Sequence, residues 1–158
     1  MINMSKTFDV MTIGKIDRSE NTPKIVLEEK YCPALLELDK FSHVNVVWWG
    51  DRYEKYRNQV DMQMFPPYAP EVLTGLFATR SPVRPNPILI TTCKIIEMDI
   101  ENGELVVNEI DAFDGSPVLD LKSYFPTEDR VKDYVVPDRF KEWGEWLPEE
   151  GIKPEYYE

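Results

Sequence analysis

Histidine, cysteine and basic charge are all scarce in this 158-residue chain, and each scarcity excludes a class of function. The lone histidine, His43, opens an apolar stretch with no acidic relay beside it, which gives a Ser-His-Asp triad little support. A core histidine satisfied by a backbone partner is the plainer expectation. Cys32 and Cys93 lie 61 residues apart with no CxxC, a pattern of two buried free thiols rather than a disulfide framework or a zinc knuckle. The 7 glycines form neither GxGxxG nor a Walker loop, so a Rossmann nucleotide site is not expected. No HExxH or EF-hand loop occurs, and no metal site is expected. No stretch approaches the roughly 18 apolar residues of a membrane span. The opening MINMSKTFDV has no basic region followed by an apolar run, so a soluble cytoplasmic protein is expected. With 18 basic residues against 29 acidic ones the net charge is -11, which argues against a general basic coat for nucleic acid.

What remains is the composition of one globular domain, 42% hydrophobic and 12% aromatic. Six of the 13 prolines fall between Pro66 and Pro87, a spacing that a helical bundle does not tolerate. Short β-type runs dominate instead. Phe8, Val10, Thr12 and Gly14 share one face of an extended segment, and Lys24 to Leu27 is a second strand. His43 to Trp49, apolar on both faces, predicts a central strand. Val60, Met62 and Met64 alternate with polar residues, and Leu73 to Thr79 follows as another run. Ile88 to Asp99 and Glu104 to Ile110 flank Glu101-Asn102-Gly103, which predicts a hairpin. Val118 to Tyr124 is the last strand. Helix is expected only at Tyr31 to Asp39 and at Pro137 to Leu147, where Phe140, Trp143 and Trp146 form an aromatic stripe. The reading is a mainly β chain: a single closed or nearly closed β-barrel domain spanning residues 1–158, with an aromatic and acidic extension over about 134–158. Adjacent on one strand, Trp48 and Trp49 must face opposite sides, so the second needs cover from the C-terminal stripe or a partner subunit.

Two segments carry chemistry. In Gly75-Leu-Phe-Ala-Thr-Arg-Ser-Pro-Val-Arg-Pro-Asn-Pro-Ile88, Ser81, Arg84 and Asn86 each precede proline and are driven to extended conformations. The stiffened ribbon fixes the directions of Arg80, Arg84 and Asn86. Two guanidiniums so held suit a carboxylate or phosphate, or else pair with Asp111, Asp114 or Asp120. The second segment, Asn108 to Tyr124, clusters those aspartates around a tight turn. Carboxylates at a strand end can accept from ribose hydroxyls or an amine, whereas Asp114, directly before Gly115, also suits turn capping.

GLFATRSPVRPNPI and DAFDGSPVLDLKSYFP closely resemble the paired signatures of the TrmO-type (TsaA-like, YaeB-like) methyltransferase family. Phe41-Ser-His43 leading into an apolar strand resembles a third landmark. The resemblance runs from about Ile13 to Pro126. It implies a β-barrel that binds S-adenosyl-L-methionine without a Rossmann fold, commonly as a homodimer. The implied activity is methylation of the exocyclic amine of threonylcarbamoyl-adenosine beside the anticodon of tRNA. Carried over by position, it implies cofactor contacts at Asp51, Arg52, Arg80, Ile90, Asn108, Glu109, Ile110 and Asp111. Arg84 and Asn86 become substrate contacts, and Asp114, with Asp111, a candidate for orienting the acceptor amine. The chain departs from the family in three places. The connection between Ile16 and Lys24 is shortened to Asp17-Arg-Ser-Glu-Asn-Thr-Pro23, Asp51 stands where a histidine is expected, and Tyr134 to Glu158 replaces an added C-terminal domain. A tRNA partner then requires a local basic rim, drawn from Arg52, Lys55, Arg57, Arg80, Arg84, Lys122, Arg130 and Lys132. The alternatives are a methyltransferase for a small metabolite and a non-catalytic adenosyl-binding module.

Overall fold

Side-chain alternation and turn chemistry select eight strands in the computed structural model, which describes residue 2 and residues 6–154. They are β1 (Gly14–Asp17), β2 (Lys24–Leu27), β3 (His43–Trp49), β4 (Gln63–Met64), β5 (Thr74–Gly75), β6 (Ile88–Asp99), β7 (Glu104–Val107) and β8 (Pro117–Ser123). Six close into a barrel in the order β1-β2-β7-β6-β3-β8, while β4 and β5 pair as a separate two-stranded sheet. Closure leaves the barrel without the exposed edges of an open sheet. Its interior is filled by Ile16 and Ile25, Val44, Val46 and Trp48, Leu105 and Val107, Ile110 and Val118.

β3 is central, as its composition predicts. It pairs antiparallel with β6 from His43↔Lys94 to Trp49↔Ile88 and, on its other edge, with β8. Val44, Val46 and Trp48 point inward, and Asn45, Val47 and Trp49 stay half-buried outside. A bulge between Val47 and Trp48 shifts the β8 register and increases the local twist. The predicted hairpin is β6–β7, closed through Gly103 at φ +66, where a side chain would strike Cys32 Sγ at 2.5 Å.

Several elements differ from expectation. Phe8 to Thr12 is not a strand: Glu28 N–H closes the ladder on the Ile13 carbonyl at 2.9 Å, and the neighbouring chain then turns into a 3-10 helix at Glu29–Leu35. Val60 to Met64 yields only the two residues of β4, and Leu73 to Thr79 gives β5 followed by a 3-10 turn. The C-terminal helix is a 3-10 segment, Asp138–Trp143. Phe140 and Trp143 meet Tyr68 edge-on, at 5.6 and 5.2 Å between centroids, and Arg57 lies over Trp49 at 5.1 Å. Among the described residues no helix is long and apolar enough to cross a membrane.

Candidate active site

The outer face of β3, β6 and β8 carries a groove of about 540 Å³. Asn45 and Val47 come from β3, Ile88 to Thr92 from β6, and Lys122 and Tyr124 from β8 and its exit. The proline ribbon supplies Arg80 and Arg84, and Asp129, Leu147 and Ile152 complete the lining. Ile88 and Ile90 stand 43% and 52% exposed there, which leaves aliphatic surface for a ligand to cover.

The ribbon is held as its prolines predict, with help from a residue named only as a rim candidate. Arg57 donates from Nε to the Pro85 carbonyl at 2.6 Å and from Nη2 to Asn86 Oδ1 at 2.8 Å. Asn86 therefore braces the ribbon and does not line the groove. Arg84 Nη1 donates to the carbonyls of Thr79 and Ser81 at 3.1 and 3.0 Å, and Arg80 Nη2 donates to the Ile90 carbonyl at 3.1 Å. Neither forms an ion pair with Asp111, Asp114 or Asp120 among the described residues; Lys122 takes Asp120 at 2.9 Å.

At the strand end beside the groove the organiser is Arg18. Its Nη2 reaches Glu109 Oε1 at 2.7 Å and the Ile110 carbonyl, its Nε the Ala112 carbonyl at 2.8 Å, and its backbone N–H Asp114 Oδ1 at 2.8 Å. These partners lie more than 90 positions away, so no local pattern announces them. Glu109 is consequently an ion-pair partner inside the protein, and exposed Asp114 ties its turn to the β1–β2 connection by accepting the Arg18 N–H. Ile110 is wholly enclosed in the barrel, with its carbonyl taken by Arg18 and its N–H by Glu109 Oε1. Arg52 stacks its guanidinium on Phe113 at 3.8 Å, joining the end of β3 to this loop, while the neighbouring Asp51 is exposed.

Asp111 differs from the other carboxylates. Trp48 Nε1–H donates to Thr91 Oγ1 at 3.0 Å, and because an indole N–H can only donate, the Thr91 hydroxyl turns its proton to Asp111 Oδ1. Burial raises the Asp111 pKa above the usual aspartate value, against the Thr91 bond and the positive charges of Arg80 and Arg18. Thr91 lines the groove while being almost wholly buried, and Asp111 stands behind it without lining the groove itself. Asn108, by contrast, spends its amide on Lys94 N–H and the Glu149 carbonyl, both at 2.9 Å. His43 Nδ1 meets the Ser42 hydroxyl at 2.7 Å, a side-chain partner in place of the expected backbone one. Cys93 is buried, and that burial drives its thiol pKa far up, leaving it inert. Among the described residues no cluster of ligating side chains could hold a metal ion.

Arginines for an anionic end, aliphatic side chains for a flat ring and a poised carboxylate for hydroxyl or ammonium groups form a donor set that fits an adenosyl amino acid. A closed six-stranded barrel with such a groove on its wall, and no nucleotide-binding helix among the described residues, is a non-Rossmann ligand-binding barrel. The chain belongs to the tRNA-methyltransferase O N-terminal domain family, whose profile matches residues 9–130. It is 35% identical over 113 residues to an S-adenosyl-L-methionine-binding protein of Archaeoglobus fulgidus, covering 72% of this chain and 76% of that one. It is 37% identical over 105 residues to the mouse (Mus musculus) tRNA (adenine(37)-N6)-methyltransferase, covering 65% of this chain but 23% of the relative. The solved structure of TrmO from Pseudomonas aeruginosa superposes with a TM-score of 0.61 at 26% identity, over 82% of this chain and 62% of that one.

Proposed function

We propose that this chain is an S-adenosyl-L-methionine-dependent methyltransferase that modifies the N6 amine of adenosine in tRNA, with threonylcarbamoyl-adenosine beside the anticodon as acceptor. The observation that carries the reading is the charge of the groove. In a protein of net charge -11, its lining holds Arg80, Arg84 and Lys122 against the single acid Asp129. That local balance suits both an anionic cofactor end and phosphates at the rim, because local potential rather than net charge governs approach. The family and its methyltransferase relatives support the same conclusion.

Bound in the groove, the cofactor supplies an electrophilic methyl group. The chain's own residues then have separable tasks. Arg80 binds the carboxylate end, and Ile88 and Ile90 cover the ring. Asp111 takes a hydroxyl or ammonium group with its carboxylate already aimed by Thr91. Arg84 faces the acceptor from the same ribbon. An adenine amine is a weak nucleophile that sheds its proton readily once methylated, so placement in line is the main demand on the protein. Asp114 spends a carboxylate oxygen on the Arg18 N–H, which leaves Asp111 the better candidate for orienting an N–H. Assembly as one domain and as a homodimer belongs to the same reading. Calorimetric titration with S-adenosylhomocysteine tests it: binding without added metal is expected, weakened by roughly 1.5–3 kcal/mol in Arg80→Ala as a charge-assisted bond is lost. Equal affinity in a folded Arg80→Ala variant removes Arg80 from the site.

A further inference from the structure

Beyond the residues matched by the family, the chain continues as a segment with little core of its own. Every residue from 131 to 150 except Phe140 is exposed. Its far end nevertheless returns to the site. A turn closes from Gly151 N–H to the Pro148 carbonyl at 3.0 Å, and within it the Glu149 carbonyl accepts from Asn108 Nδ2. The Asn108 amide cannot be reversed, because its Oδ1 simultaneously accepts the Lys94 N–H. Gly151 is buried directly against this strand end. A side chain there would stand 2.8 Å from Glu109 Cβ and 3.0 Å from Asn108 Nδ2, and its φ of +84 disfavours any residue but glycine. On either side of this clasp, Leu147 and Ile152 reach the groove and line it together with Ile88 and Ile90.

We infer that residues 147–152 form a wall of the ligand groove supplied by the chain's own C-terminal segment, with Leu147 and Ile152 determining fit and Asn108 and Gly151 acting as positioning residues. The inference rests on the cofactor reading above and adds a determinant that the matched family region does not contain. Two aliphatic side chains on β6 leave one part of an adenosyl ligand covered. Leu147, itself 38% exposed, and Ile152 bring aliphatic surface that a ligand bound in the groove would bury. The segment is attached by the clasp and by the packing of Phe140 and Trp143 on Tyr68, and contributes nothing to the barrel core, so the wall can be removed without unfolding the barrel.

The test is calorimetric titration of the full chain with S-adenosylhomocysteine, comparing wild type, the double variant Leu147→Ala/Ile152→Ala and Gly151→Val, with a thermal melt of each. Both variants are expected to bind about tenfold to a hundredfold more weakly while melting close to wild type. Hydrogen exchange at residues 147–152 should quicken in Gly151→Val and slow on ligand binding to wild type. If Gly151→Val fails to fold, the double variant decides. Wild-type affinity in the double variant overturns the wall while leaving the cofactor reading intact. Absence of binding by wild type itself overturns both.

Discussion

Arg18 and Asp111 show how single side chains set the chemistry of the site. Arg18 satisfies a part-buried carboxylate and two backbone carbonyls at once, so its loss leaves Glu109 with the Ile110 N–H but no opposite charge. Arg18→Ala should destabilise the protein by about 2–4 kcal/mol in urea denaturation. Arg18→Lys should recover little, since an ammonium cannot reproduce the guanidinium fork. Asp111 takes up its proton at higher pH in the folded chain than in the unfolded one. Its contribution to stability is therefore largest at low pH and declines as pH climbs from the ordinary aspartate value through the raised one. Asp111→Asn should melt no lower than wild type at neutral pH, yet bind S-adenosyl-L-methionine roughly tenfold more weakly. Wild-type affinity should fall as pH drops through the raised value, and the variant should lose that dependence. A wild-type affinity flat between about pH 7 and pH 4 would separate Asp111 from the ligand.

Elements fix where those side chains stand, and the hairpin and the ribbon were the most readable of them. Glu101-Asn102-Gly103 announces a tight turn, and the structure needs glycine there twice over, for its positive φ and for the Cys32 sulfur packed against it. Gly103→Ala should cost more than about 1 kcal/mol by thermal denaturation, with cofactor affinity unaltered in the folded fraction. The prolines from Pro82 to Pro87 likewise announced a stiff ribbon, and Arg80 and Arg84 do reach the groove from it. What periodicity could not reveal was contact across long separations. Arg18 has no sequence signal because its partners lie on the strand end 91 to 96 positions later. The use of Asn108, a predicted ligand contact, as a clasp for Glu149 was hidden for the same reason. Phe8 to Thr12 alternates like a strand but has no neighbouring strand to pair with, since the chain after Glu28 turns away as a 3-10 helix. Alternation states a preference, and the barrel's closure decides whether it is met.

On the proposed function, a molecule of net charge -11 must accommodate a polyanionic substrate. Steering then depends on a small footprint around Arg80, Arg84 and Lys122, so tRNA binding should weaken with salt at a logarithmic slope of roughly -2 to -4, reporting only a few phosphate contacts. Arg84→Ala should make that slope shallower by about one and impair methylation while leaving affinity for S-adenosylhomocysteine nearly intact. A slope near zero, with no binding at low salt, would favour a small acceptor instead. The most direct test of methyl transfer is mass spectrometry of nucleosides from tRNA of a strain lacking the protein, taken before and after incubation with protein and S-adenosyl-L-methionine. One added methyl on the N6 amine of threonylcarbamoyl-adenosine is the predicted result. Unchanged nucleosides, with the methyl group of labelled cofactor recovered in a small-metabolite fraction, would contradict it.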